Sequence, residues 1–322
     1  MIENKKREMA ERASILYYEK NYMQNEIAKE LGISRSLVSQ LLSFARNNGI
    51  VEISINIDEF NLRMIRKEIE LRDKIPQVKQ FYIMSSDSED ETRRILGDFA
   101  APYLSDMINE SRVIGINLGA SVEKAINSLS RHNFTNSEEK NVVQIMGGFN
   151  MDIDRAHPIE LVKRLSSILN CKYRYLNCPA VVAQEELRSA LLNEESIRSV
   201  IQMWEKIDLA IMGIGTVNED SRLVSLLSND MKNLIKNSNA RADVNINFFN
   251  QQGEYLPLLE KHKISLGYDG LKRINKKVAI CHGIHKKEAI LSAIKAGIID
   301  VLITDSITID AVEKQMGEAL SL

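Results

Sequence analysis

No run in this chain approaches the roughly 20 consecutive apolar residues that a bilayer-spanning helix needs. The first residues, MIENKKREMAERAS, lack the apolar core of a signal peptide, which leads to the expectation of a cytoplasmic protein. Cysteine is scarce: Cys171, Cys178 and Cys281 are an odd number spread over a long chain, which excludes a disulfide scaffold and fits reduced thiols. No metal-finger spacing exists among them. With 5 Pro and 15 Gly the composition is neither fibrous nor that of a disordered tract. No sign of charge dominates either, since the net charge is -2.

What is present is an ordinary globular composition, 44% hydrophobic and 27% charged. At roughly 150 residues per domain, 322 residues give two domains. The charge is not evenly spread. Residues 1–50 hold eight Lys and Arg against six acids, and residues 31–50 contain Arg35 and Arg46 but no acid at all. A polyanion would find its most favourable ground there.

Up to residue 57 the pattern predicts three helices and a strand. The first covers Lys5 to Lys20, and the second, about Gln24 to Leu31, stops at Gly32. Ser34 can cap a third, about Arg35 to Asn48, which stops at Gly49. In VEISINI, apolar Val51, Ile53, Ile55 and Ile57 alternate with polar residues, the period of a strand with one buried face. This is the outline of a helix-turn-helix with a small wing. On the third helix Val38, Leu41, Leu42 and Ala45 share one side. Ser36, Ser39, Gln40 and Ser43 share the other, with Arg35 and Arg46 on one flank. A solvated face more usually carries Glu and Lys. Short neutral hydrogen-bonding groups flanked by arginine suit base edges and phosphates in a major groove. The rival reading is a three-helix dimerisation element with a Ser-rich face. Ala28 and Gly32 allow close helix approach and a sharp turn, over Ile27, Leu31 and Ile33.

Residues 58–76 read as a connecting helix broken by Pro76. Beyond it, QFYIM, VIGINL, VVQIM, YRYL, LAIMGIG, VNINFF, VAI and VLIT read as strands, with helical segments such as 92–108, 121–129, 158–169 and 287–296 between them. This alternation predicts a Rossmann-like, mainly parallel α/β domain over 77–322.

QNEIAKELGISRSLVSQLLSFARNNGIVEISI resembles the N-terminal domain of the SorC family of sugar-responsive bacterial transcription regulators. VIGINLGAS, VVQIMGG, LAIMGIGT, FFNQQG and AICHGIHKKEAILSAIKAGIIDVLITD are similar to that family's effector-domain landmarks, in order, over nearly the whole chain.

The effector motifs can also be read from the residues. Val113 to Ile116 runs into Gly119, Ala120 and Ser121 before a helix begins, so free N–H groups and a hydroxyl meet an anion there. Such a glycine and serine also simply turn a chain and cap a helix. Further turns follow apolar runs at Gly147 and Gly148, at Gly213, Gly215 and Thr216, and at 283–286. In a parallel sheet these share one edge. Lys286 is a basic side chain at the head of such a helix. The family resemblance implies a fold like that of sugar-phosphate isomerases and deaminases. It also implies a phosphorylated-sugar pocket at Gly119, Ser121, Gly147, Gly148, Gly215, Thr216 and Lys286, with Asp243 at an acidic position before Phe248 and Phe249. Four departures imply an altered pocket: Ser121 for Thr, Ala242 for Gly, Asn250 for Asp and His282 for Gly.

Cys281, His282 and His285 carry zinc-ligand chemistry, but no fourth ligand is identifiable by spacing, so neither a metal nor another cofactor is expected. Trp204 reads as core, and the lysines of 261–263 and 272–277 as exposed surface. The expectation is a sequence-specific DNA-binding regulator, a repressor of a carbohydrate-catabolic operon, controlled by a phosphorylated sugar and working as a homodimer or, from the resemblance, a homotetramer. The alternative is a sugar-phosphate isomerase or deaminase with an appended DNA-binding domain, with Asp243 or His282 as base.

Overall fold

The computed structural model describes residues 2–52, 59–149, 157–218 and 221–320. It divides into two compact units, Met1–Asp58 and Glu59–Leu322. The first contains α1 (Ile2–Ser14), which passes into a π-helical turn at Ile15–Glu19, then α2 (Gln24–Leu31) and α3 (Arg35–Asn47). Gly32 ends α2 at φ 65°, in the left-handed region that a side chain resists. Ser34 starts α3 by accepting a hydrogen bond from the Leu37 N–H at 3.1 Å. Ala10, Ala13 and Ile27 close with Val38, Leu41, Leu42 and Ala45 into a small core. Most of the expected wing strand falls on residues 53–58, outside the described residues.

The second unit begins with α4 (Glu59–Lys74), β1 (Gln80–Met84), α5 (Glu89–Asn109), β2 (Val113–Ile116), α6 (Ala120–Ser128), β3 (Asn141–Gln144), α7 (Pro158–Leu169) and β4 (Lys172–Arg174). It continues through α8 (Glu185–Asn193), α9 (Glu195–Trp204), β5 (Leu209–Met212), β6 (Gly215–Thr216), α10 (Arg222–Ser225), α11 (Asn229–Lys236), β7 (Ala240–Val244), β8 (Asn247–Asn250) and β9 (Tyr255–Leu256). It closes with α12 (Tyr268–Arg273), β10 (Lys276–Ile280), α13 (Lys287–Lys295), β11 (Val301–Asp305) and α14 (Ser306–Leu320).

Seven strands form a parallel sheet in the order β1-β11-β10-β5-β2-β3-β4. The sheet is covered on both faces. Ile114 and Ile116 of β2 with Leu209 and Ile211 of β5 pack under α5, α6 and α7, whereas Val113, Ala210 and Met212 join the other core with α4, α9, α13 and α14. Burial on both sides is why these strands read as unbroken apolar runs. The residues expected to form a connecting helix contribute Met64, Leu71 and Ile75 to that second core. Lys67 ion-pairs with Asp310 and Glu313 of α14.

A four-stranded antiparallel sheet, β6-β7-β8-β9, extends from the end of β5. The apolar run VNINFF, expected as one strand, is a hairpin: β7 and β8 are joined at Asn245 and Ile246, with φ 57° and 60°. Two consecutive positive φ values match the right-handed twist of the flanking strands, the geometry usually supplied by Asn-Gly. Two of the lysines expected at the surface are instead buried. Lys277 pairs with Asp300 at 2.6 Å, and Lys263 donates to Asn247 Oδ1 at 2.6 Å and to the Ile246 carbonyl at 3.3 Å. Trp204 packs against the core and donates Nε1–H to the Gln144 carbonyl at 2.9 Å.

Candidate functional site

In the first unit the two sides of α3 separate as the spacing requires. Val38, Leu41, Leu42 and Ala45 are at most 3% exposed. Arg35, Ser36, Ser39, Gln40 and Arg46 are exposed and Ser43 is half-buried. The serine face is therefore free of the unit's own core, and the two arginines add positive charge beside it.

In the second unit the chain leaves β2 for β3 and β4 on one side, then returns to place β5 on the other. A crevice opens at such a switch point, beyond the C-terminal ends of the strands. Here Asn117, just after β2, accepts a hydrogen bond from the Gly213 N–H after β5 at 3.0 Å and ties the two loops together. A cavity of about 420 Å³ lies at this edge.

Six of the eight expected effector residues line it: Gly119, Ser121, Gly215, Thr216, Asp243 and Lys286. Gly119 precedes α6 without a side chain to cap it, and Ala120 and Ser121 of the first turn line the cavity, so the positive end of α6 is presented to a ligand. Antiparallel pairing of β6 with β7 sets Asp243 opposite Gly215, where a Cβ would lie 3.2 Å from the Asp243 Oδ2. Asp243 Oδ1 is buried without a partner, and burial pushes the carboxyl up to about 7. Lys286 donates to the Ile214 carbonyl at 2.8 Å, and burial lowers its pKa.

Gly147 and Gly148 do not line the cavity. Their neighbours Met146 and Phe149 do. A Cβ on Gly147 would fall 2.5 Å from the Pro179 carbonyl oxygen, and one on Gly148 2.5 Å from the His157 ring, so both glycines serve close packing. Arg93 and Lys124 also line the cavity, as do His282, read from the sequence as altering the pocket, and His285 of the 283–286 turn. Arg93 and Lys124 sit inside ordinary helical patterns, which say nothing of the edge they face. Lys124 donates to the Arg93 carbonyl, linking α6 to α5. Among the described residues no group of three or more His, Cys, Asp or Glu is placed to hold a metal ion. The Cys281 thiol is buried, and that burial pushes its pKa up to about 12.

A doubly wound sheet with a cation-lined pocket at its switch point, carried on the same chain as a small helix-turn-helix unit, is the architecture of a ligand-binding domain joined to a helical one. The family model described as a putative sugar-binding domain matches residues 62–312. The deoxyribonucleoside regulator of Bacillus subtilis is 23% identical over 311 residues, covering 95% of this chain and 97% of its own. The sorbitol operon regulator of Klebsiella pneumoniae is 24% identical over 305 residues, covering 93% and 95%. The crystal structure of the full-length sorbitol operon regulator SorC from Klebsiella pneumoniae superposes with a TM-score of 0.72 over 94% of this chain and 98% of that one, at 23% identity. The chain belongs to the SorC family of transcription regulators with a sugar-binding domain. Among the described residues no helix is long and apolar enough to cross a membrane.

Proposed function

We propose that this protein binds operator DNA through α3 and adjusts that binding to a phosphorylated sugar held in the cavity of its second unit, acting in the cytoplasm as a repressor of a carbohydrate-catabolic operon. The observation that carries the DNA half is the outward set of Ser36, Ser39 and Gln40 on a helix whose apolar side is fully occupied. Gln40 would read adenine bidentately, the serines would meet base edges or phosphates, and Arg35 and Arg46 would neutralise phosphates.

The effector half rests on charge. Arg93, Lys124 and Lys286 with the α6 N-terminus stand against a carboxyl, Asp243, whose own ionisation is suppressed by burial. Gly119, Ser121, Gly215 and Thr216 would supply backbone and hydroxyl contacts, and Asp243 would accept from a sugar hydroxyl. A ligand shifts DNA affinity only through unequal affinity for two arrangements of the protein, and couplings of about 1–3 kcal/mol are typical. Helix-turn-helix proteins read paired half-sites as symmetric oligomers, so we assign a dimer or tetramer.

The test is selection of bound sequences from a random duplex pool, followed by titration of the recovered site with sugar phosphates. A recovered palindrome released by a sugar phosphate supports the reading, and recovery of no sequence preference refutes it. One observation favours a second reading. A carboxyl with a pKa of about 7 suits a proton-abstracting base, so turnover of hexose or pentose phosphates by the purified protein would support the isomerase alternative.

A further inference from the structure

The cavity holds an ionisable ring that the reading above does not use. His282 follows β10 and lines the cavity, and its Nδ1 is buried without a hydrogen-bond partner. An unpaired buried polar atom in a native fold asks for an explanation, and an absent ligand is one. The charged groups around the ring come from each neighbouring element: Lys286 on the following turn, Arg93 on α5, Lys124 on α6 and Asp305 at the end of β11. His285 lines the same cavity. Asp305 is already occupied, accepting from the Thr308 N–H at 2.9 Å and from Thr308 Oγ1 at 2.6 Å. Burial and then Lys286 hold the His282 pKa below its usual value, Arg93 and Lys124 act in the same direction, and Asp305 opposes them. The ring is therefore neutral at pH 7 in the free protein.

We propose that His282 is a specificity-determining residue of this cavity, contacting the ligand's anionic group and taking up a proton as a dianion enters, so that the site selects doubly charged phosphates over singly charged carboxylates. The proposal rests on the reading of the cavity as a phosphosugar site. Besides burial, three cations disfavour the proton on the ring, and a dianion offsets their charge while attracting the proton directly. A monoanion leaves more of that positive charge in place. Binding and protonation are then linked. As pH rises through the free and the bound pKa of His282, affinity falls by about tenfold in total for each unit that separates the two, and well outside that window it is flat.

The experiment uses the full-length protein with sulfate as probe, because sulfate keeps both charges throughout the titration, and acetate as the singly charged control. Histidine ring signals are followed by proton–carbon NMR against pH, with His282 assigned by the signal lost in His282→Asn, or in His282→Gly should the first variant fail to fold. Saturating sulfate should raise the His282 pKa by about one unit, equivalent to about a tenfold gain in sulfate affinity. Acetate should raise it less, and His282→Asn should lose this part of the pH dependence. Asp243 also titrates near neutrality in this cavity, so the His282 shift should persist in Asp243→Asn. If sulfate raises the melting temperature in a Lys286-dependent way while His282 titrates unchanged, the role given to His282 is overturned and the pocket reading stands. If sulfate has no Lys286-dependent effect, both are overturned.

Discussion

Replacing Lys286 by Met separates binding from stability at one residue. The ammonium lines the cavity, donates to the Ile214 carbonyl at 2.8 Å, and has no carboxylate within ion-pair distance among the described residues. Burial disfavours its charged form in the folded state. Met keeps the length of the side chain, relieves that desolvation and leaves one carbonyl unpaired. Each effect is on the order of 1–3 kcal/mol and they oppose, so unfolding free energy should change by less than about 2 kcal/mol. The pH dependence has a fixed sign. Because the folded pKa of Lys286 is depressed, the wild type carries its penalty below that pKa and sheds it as pH rises through it, so any advantage of the variant shrinks on the alkaline side. Ligand binding should respond differently, since losing a hydrogen bond from a charged donor costs about 1.5–3 kcal/mol, or about 10- to 150-fold in affinity. Phosphate at 100 times its dissociation constant stabilises the wild type by about 2.7 kcal/mol; the same concentration, with affinity weakened 10- to 100-fold, leaves about 1.4 to 0.4 kcal/mol. Thermal unfolding over a series of inorganic phosphate concentrations reads both quantities. A loss of more than about 3 kcal/mol without ligand would make Lys286 a structural residue, and undiminished stabilisation by phosphate would remove it from the site.

Asp243→Asn should stabilise the protein, and by more at pH 8 than at pH 5. The raised carboxyl makes folding release less stability as pH climbs from the unfolded pKa of about 4 towards the folded value of about 7, and the amide removes that dependence. Urea unfolding at the two pH values tests the sign. Gln40→Ala should weaken specific duplex binding by about 1–3 kcal/mol and spare nonspecific binding, and fluorescence anisotropy on both duplexes would expose an equal loss. Gly97→Ala places a Cβ 2.7 Å from the backbone carbon of Lys124, so α5 and α6 must separate at a cost of about 1–3 kcal/mol, measured as unfolding free energy. The same shift moves the α6 N-terminus, so phosphate should also bind more weakly to that variant.

The legible parts of the sequence were those in which one physical signal dominated. β1 at Gln80–Met84 and α7 at Pro158–Leu169 fall on the boundaries read from an apolar run and from helical periodicity, and α3 differs by a single residue at its end. The hairpin at Asn245 and Ile246 was not legible, because a β-branched residue holds the place where glycine would have announced a turn. Gly147 and Gly148 followed an apolar run like the other turns, and only the packing of Pro179 and His157 distinguishes them from turns that face the cavity. Lys263 and Lys277 lay in lysine-rich stretches, where sequence alone does not reveal a buried carbonyl, amide or carboxylate waiting for one ammonium.

The places where the chain breaks its own rules cluster around the cavity. Ile246 holds φ 60°, a conformation that costs of order 1–3 kcal/mol for a β-branched residue, and among the described residues the other non-glycine positive-φ positions are all asparagines. Ile246 follows Asn245, which lines the cavity and bonds the Ile145 and Leu266 carbonyls at 3.1 and 3.0 Å, so the strained turn fixes a pocket wall. Gly283, at φ 107°, stands between His282 and the turn that carries Lys286. Asp243 carries a buried, unpaired carboxyl oxygen, and Lys286 is a half-buried lysine without a carboxylate partner among the described residues. A core under selection for stability alone would replace such groups with apolar ones of similar volume. Three costs of different kinds around one cavity, at Ile246, Asp243 and Lys286, are what a site held ready for a polar, anionic ligand requires, because the ligand supplies the missing hydrogen bonds and charge when it binds. Convergence of these local violations, more than the glycine count of any one turn, locates the site in this fold.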